Sequence, residues 1–211
     1  WIGRYEAGIE GTTTETTNAR TDSSARITIG TSPKAVSQKD AIPYNWVYCS
    51  EAQALAKEMT PNSNYTSSLM FGIQWDLVCK YLEVKGKLAT ANINSDSSAW
   101  GNYSNVGRTI SSNKAKQTTN NGSTWTTITG TKPASSVLLT AGASEEINKM
   151  NIYDFAGNEW EWTLEKASDS PTPCASRGGS YSIKGSDVPA SYRGYCNTPD
   201  YDIGFRSALY K

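Results

Sequence analysis

The sequence predicts an α+β protein with antiparallel sheets. Three features predict it. Two segments in the N-terminal half carry apolar residues at helical spacing, short aromatic-rich alternating segments cluster toward the C-terminus, and a long Ser/Thr/Asn/Gly-rich stretch separates them. At 211 residues, with no internal repeat, the chain is read as a single domain spanning 1–211, large enough to bury a real core.

Trp1 to Gly11 is aromatic-rich and ends in glycine, which reads as a strand entering a turn. Thr12 to Ser24 is a polar, Thr-rich excursion, and Arg26 to Gly30 alternates as a strand would. The first helix is expected over Ser50 to Met59. Ser50 and Gln53 have the spacing of a capping box, Ala52, Leu55, Ala56 and Met59 form one apolar stripe, and Pro61 stands just beyond. A second helix is expected from about Gly72 to Glu83. Ile73, Leu77 and Tyr81, with Val78 and Leu82, supply its apolar stripe, and Gly86 supplies its stop. Residues 86–135 read as long loop or short irregular strands, anchored by Trp100, Tyr103 and Trp125. Ser136 to Thr140 is a short apolar strand. Glu159 to Glu165 is the cleanest strand: Trp160, Trp162 and Leu164 fall on one face, Glu159, Glu161, Thr163 and Glu165 on the other. Ser176 to Tyr181 and Ile203 to Leu209 complete the strand set.

Composition limits function. Twenty Lys+Arg balance twenty Asp+Glu, which removes the electrostatic footprint expected for nucleic acid or an anionic membrane. There is no histidine, so a Ser-His-Asp or Cys-His dyad, a His-ligated zinc and a two-His-one-carboxylate iron site are all excluded. No apolar run approaches the ~20 residues needed to span a bilayer. Cys49, Cys79, Cys174 and Cys196 lack metal-type spacing, and one or two disulfides or four thiols all fit. The chain opens at Trp1 inside a strand-like segment without a signal peptide, so it is expected to be the C-terminal part of a longer protein. Many Trp and Tyr in a Ser/Thr/Asn-rich matrix lean toward an extracellular binding surface.

Asn151 to Thr163 reads NIYDFAGNEWEWT, Arg177-Gly178-Gly179-Ser180 follows, and Gly204-Phe205-Arg206 comes near the end. In this order and spacing the three motifs resemble the formylglycine-generating-enzyme-like domain, a variant of the C-type lectin fold. Trp1 to Gly8 resembles that family's opening strand, and Leu69 with Trp75 and Asp76 falls where the family has a helix. The resemblance implies twisted antiparallel sheets with two helices and much irregular loop. Trp160 and Trp162 would fill the core, and Arg177 and Arg206 would be buried, paired arginines.

The resemblance implies the fold without the chemistry. Catalytic members oxidise a substrate cysteine with copper held by two cysteines, three and eight residues beyond the RGGS motif. Here those places hold Ile183 and Val188, and neither side chain can become a thiolate. The iron-dependent branch needs histidines, which are absent. No catalytic residue and no cofactor is therefore expected, save a structural calcium ion. By position that ion would take Asp154, the backbone of Gly157 and Glu159, and the Glu161 side chain, all hard oxygen donors. The competing reading makes Glu161 a solvated strand residue or an ion-pair partner of Arg177 or Arg206.

Residues 180–203 read SYSIKGSDVPASYRGYCNTPDYDI. Ser180, Gly185, Pro189, Ala190, Arg193 and Pro199 read as frame. Tyr181, Ser182, Ile183, Ser186, Asp187, Val188, Ser191, Tyr192, Gly194, Tyr195, Cys196, Asn197, Tyr201 and Asp202 read as fillers. Every filler is reachable from an AAC or AAT codon by changing adenines alone; Lys184 is the exception. No Trp, Met, Glu or Gln occurs in the segment, and such changes cannot make them. The pattern resembles the variable region of a diversity-generating-retroelement target protein. It implies a non-enzymatic module whose fillers bind a ligand or receptor, a protein or carbohydrate on another cell or virion. The module would sit outside the cell, on a bacterial surface or a phage tail fibre. Tyrosines would supply large contacts with few rotors, and the small polar residues adaptable hydrogen bonds. Neither nucleic-acid binding nor membrane insertion is expected, and the oligomeric state is left open. The alternatives are an inert structural domain of an extracellular protein, or an enzyme using Glu159, Glu161, Asp200 and Asp202 as paired carboxylates.

Overall fold

The computed structural model describes residues 1–12, 19–60, 62–166 and 174–211. Residues 13–18 of the Thr-rich excursion and the stop residue Pro61 lie outside the described residues. In chain order the elements are β1 (Gly8–Ile9), β2 (Ala35–Val36), α1 (Cys49–Glu58), β3 (Thr66–Leu69), α2 (Gly72–Val84), α3 (Thr90–Asn94), β4 (Arg108–Thr109), β5 (Lys116–Thr118), β6 (Thr126–Thr127), β7 (Thr131–Lys132), β8 (Leu138–Leu139), a 3-10 turn at Glu145–Ile147, β9 (Trp160–Thr163), β10 (Ala175–Arg177), β11 (Arg193–Tyr195), β12 (Ile203–Phe205) and β13 (Ser207–Tyr210).

The centre is a four-stranded sheet in the order β11-β10-β9-β12. β9 pairs antiparallel with β10 and parallel with β12, so this sheet is mixed where sequence reasoning expected antiparallel pairing throughout. The predicted strand Ile203 to Leu209 is broken at Arg206. Its first half joins β9 and its second half crosses to pair antiparallel with β3. The short antiparallel pairs β1–β2 and β4–β7 and the three-stranded sheet β6–β5–β8 lie in the polar stretches. Trp100, Tyr103 and Trp125 are buried there, as anchors should be. Arg26 to Gly30 forms no strand: Arg26 and Ile27 instead bond to the Glu51 carboxylate.

Both helices differ in detail from the pattern reading. α1 starts one residue early, because the Tyr48 N–H donates to Glu51 Oε2 at 2.9 Å. The Ser50–Gln53 box does not form; Gln53 Oε1 accepts from the Leu69 N–H and the Ser68 hydroxyl, stitching α1 to β3. On α2 the core-facing residues are Gly72, Trp75, Cys79 and Leu82. Ile73, Leu77 and Tyr81 of the expected core stripe face solvent. The Trp75 ring, stacked on Phe155 at 3.9 Å with its indole N–H donating to the Ala190 carbonyl, fixes that rotation.

Cys49 and Cys174 form a disulfide tying the start of α1 to the approach to β10. Cys79 is a buried thiol, its pKa pushed up to about 12 by burial, and Cys196 is a half-buried one. Among the described residues no helix is long and apolar enough to cross a membrane.

Candidate ligand-binding face

β9 and the loop before it form the interior support. The alternation of Trp160 to Thr163 holds, but all four residues are buried, so both faces of β9 lie inside. Glu161 is therefore not solvated. Both of its oxygens accept from Arg206, at 2.7 Å from Nη2 and 3.0–3.1 Å from Nε, and both residues are essentially inaccessible. Arg206 also donates to the carbonyls of Gly3 and Tyr153, which locks the N-terminal segment onto the loop. Gly157, at φ 70°, must be glycine, since a Cβ there would collide with the Asn102 carbonyl oxygen.

The resemblance placed a calcium ion at this loop. Asp154 Oδ2 accepts from the Gly142 N–H at 2.7 Å, while Oδ1 is buried without a partner. Both Glu159 side-chain oxygens are likewise buried and unpartnered. Burial pushes the Asp154 pKa up to about 7 and raises those of Glu6, Glu159 and Glu161; Arg206 opposes the rise at Glu6, Asp154 and Glu161. Glu161 is committed to Arg206, so of the two expected side-chain ligands Asp154 alone has an open oxygen. Among the described residues no three acidic, Cys or His side chains converge as a metal-holding group.

The segment 180–203 wraps across the sheet. Three expected face residues are interior. Tyr181 is 3 % exposed, its N–H donating to the Asn158 carbonyl. Val188 packs into the main core. Asp202 Oδ2 accepts from the hydroxyls of Ser180 and Ser182 at 2.7 and 2.8 Å, so it acts as a bracket holding the turn. These three are corrected from contact residues to supports. Ser186, Asp187, Tyr192, Tyr195 and Asn197 are exposed, and Ser182, Ile183, Ser191, Gly194, Cys196 and Tyr201 are half-buried. The frame residues Ser180, Gly185, Pro189, Ala190 and Pro199 are buried.

The exposed tyrosines do not form one patch. Tyr192 precedes edge strand β11 and leans on Trp160, ring centroids 5.8 Å apart. Strand alternation sends Tyr195 to the opposite face with Arg193. Tyr201 sits apart, edge-on to Trp46 at 6.1 Å and to Tyr181 at 6.2 Å. Tyr192 and Tyr195 thus lie on two faces flanking one edge strand.

The Arg193 side is the more constructed. Arg193 donates to Asp76 Oδ2 at 2.5 Å and Glu165 Oε1 at 2.7 Å, while buried Arg177 donates to the other oxygen of each, at 2.7 and 2.9 Å. This four-member ion lattice ties β10 and β11 to α2. Beside it Ser191 and Arg193 share a cavity of about 340 Å³ with Asp76, Lys80, Glu83 and Asn94. Pattern reasoning missed the α2 and α3 residues, since nothing in their spacing distinguishes a cavity wall from a solvated helix face.

Glu159, Glu161 and Asp202 are buried, and Asp200 Oδ1 accepts from the Tyr201 N–H. At the two positions where catalytic relatives carry copper-binding cysteines, Ile183 and Val188 offer hydrocarbon with no lone pair, so this donor set does not fit the metal.

Compared with known families, residues 4–210 match the sulfatase-modifying factor enzyme 1-like domain. The chain belongs to that family. The match takes in the WEW strand, the Arg177 turn and the closing Gly204-Phe205-Arg206. No curated protein matches the chain significantly. The sulfatase-modifying factor family includes both enzymes and catalytically inert proteins, so membership leaves the role of this member to its own residues.

Proposed function

We propose that this protein is a non-enzymatic binding module on a C-type lectin scaffold, its 180–203 segment serving as an exchangeable ligand-binding surface on the two sides of edge strand β11. One observation carries the reading. Frame and filler differ in burial: frame residues Ser180, Gly185, Pro189, Ala190 and Pro199 are inside, while of the fillers Tyr181, Val188 and Asp202 are inside and Ser186, Asp187, Tyr192, Tyr195 and Asn197 are outside. Arg193, the exposed frame residue, is held by two carboxylates. A segment divided this way can change its outer side chains without disturbing the interior, as a diversified receptor-binding protein of a bacterial surface or a phage tail fibre requires. The ligand is a protein or carbohydrate of another cell or virion. Hydrocarbon side chains at 183 and 188 argue against copper-dependent oxidation of a cysteine peptide. A structural calcium ion at Asp154 belongs to the proposal, supported by the open, buried Oδ1.

The decisive experiment is genetic. The locus should carry a reverse-transcriptase gene and a near-copy of the 3′ end of this gene with Asn codons at the filler positions, and sister isolates should differ at the fillers alone. Substitutions spread evenly over 180–203, with no template copy, would remove the diversification reading and leave an inert structural domain. Incubation with copper(I), oxygen and a cysteine-containing peptide should leave the peptide unchanged; its oxidation would reinstate the enzyme.

A further inference from the structure

The exposed side of α2 has no task in the fold described so far. Ile73 is 68 % exposed, Leu77 61 %, Val84 57 %, Tyr81 43 % and, at the helix cap, Phe71 41 %. At 100° per residue, 73, 77, 81 and 84 fall within a quarter of the circumference, opposite Trp75, Cys79 and Leu82. A helix apolar on two opposite sides is one that gets buried from two sides. The other exposed large apolar residues, such as Trp1, Ile29, Met150 and Tyr210, are distributed over separate elements, as on any soluble surface.

We propose that the α2 stripe is a homodimer interface, in which α2 packs antiparallel against α2 of a second copy about a two-fold axis at Leu77. The argument is self-complementarity. An antiparallel pair centred on Leu77 sets Leu77 against the partner's Leu77 and Ile73 against the partner's Tyr81. Phe71 at the cap comes near the partner's Val84. Each aromatic ring thus meets a smaller branched aliphatic side chain, which is how facing layers interdigitate. Flanking polar residues are compatible: Lys80 comes opposite the partner's Gln74 and Asp76 opposite the partner's Val78, so no like charges are opposed. The arrangement is isologous, the commonest symmetry of soluble oligomers. The five side chains offer roughly 500 Å² per copy, and two copies reach the ~1,000 Å² that separates a biological interface from a chance contact. Because Asp76 on the same helix holds Arg193, each protomer's 191–195 edge is tied directly to the dimerising element. Two copies of the face are then carried on one rigid unit, the geometry that makes binding bivalent.

Sedimentation equilibrium of the full chain, from low-micromolar to near-millimolar concentration, tests this. The expected result is a monomer–dimer equilibrium between 22.9 kDa and twice that mass. Leu77→Glu should abolish it without changing the far-UV circular dichroism, and Met150→Glu, an equally exposed apolar site elsewhere, should leave it intact. In a Cys196→Ser background, Leu77→Cys should cross-link two chains under mild oxidation and Met150→Cys should not. A monomer at every concentration overturns the proposal, as does a dimer that survives both Leu77→Glu and Tyr81→Lys, or one that Leu77→Cys fails to cross-link. The outcome does not depend on whether segment 180–203 binds a ligand.

Discussion

Strands β9 and β11 lie in one sheet, two strands apart, and both are built around aromatic residues. β9 is buried on both faces, its charged member Glu161 neutralised by an equally buried Arg206. β11 is an edge strand whose two long side chains reach the surface, its charged member Arg193 held by two half-exposed carboxylates. The difference shows that residue type does not decide function here. Trp160 and Trp162 on the inner strand are scaffold, while Tyr195 on the edge strand projects into solvent.

Substitutions separate the two strands most sharply at their charges. Arg206→Ala should destabilise by about 3–5 kcal/mol, since it strands the buried Glu161 carboxylate and frees the carbonyls of Gly3 and Tyr153. Chemical denaturation would show this as a lower midpoint. A loss below ~1 kcal/mol would mean the pair is hydrated. Next, Trp160→Ala, at 9 % exposure, should cost about 3–5 kcal/mol. Its ring neighbour Tyr192, at 45 % exposure, should cost far less on truncation, and Tyr195→Ala should stay within about 0.5 kcal/mol. Both tyrosine variants should weaken ligand capture while keeping the native melting profile. If either unfolds the chain, the edge is scaffold too.

Protons give an intermediate effect confined to the inner region. Burial raises the pKa of Glu6, Asp154, Glu159 and Glu161, in the case of Asp154 to about 7. Glu6, Asp154 and Glu159, to which no arginine donates a hydrogen bond, therefore hold protons in the folded state that the unfolded chain releases near pH 4. The folded state binds more protons, so stability falls as pH rises from about 4 toward 7 and beyond. Without divalent cations the melting temperature should be higher at pH 5 than at pH 8. Calcium should raise the pH 8 value, by an amount that grows with its concentration over its Kd. A melting temperature unmoved by calcium would remove the ion from the account.

Much of this was legible in the sequence because it is written in short-range rules. The WEW alternation, the tryptophan anchors and both main helices follow from spacing and residue type, and the buried Arg177 and Arg206 follow from the resemblance to the formylglycine-generating-enzyme-like domain. Three things were not. The rotation of α2 depends on Trp75 stacking on Phe155, a contact eighty residues away along the chain, and helical periodicity cannot choose between two apolar stripes on one helix. The break at Arg206 sends one apolar run into two sheets, and local pattern shows only its continuity. Among the fillers, Tyr181, Val188 and Asp202 have the same codon property as the exposed residues, and only coordinates reveal that they face inward. The split of Tyr192 from Tyr195 was in principle readable from strand alternation, once the start of β11 was known.

The central claim is tested most directly by a library randomised at Ser186, Asp187, Ser191, Tyr192, Tyr195 and Asn197 together, with thermal unfolding followed member by member and selection run against an arbitrarily chosen protein such as lysozyme. Members should melt within a few degrees of the parent, as surface changes of about 0.5 kcal/mol allow, and the selection should yield lysozyme binders whose affinity is lost on reverting the substituted positions. A library in which most members fail to fold, or whose binders map to residues outside 180–203, would contradict the account.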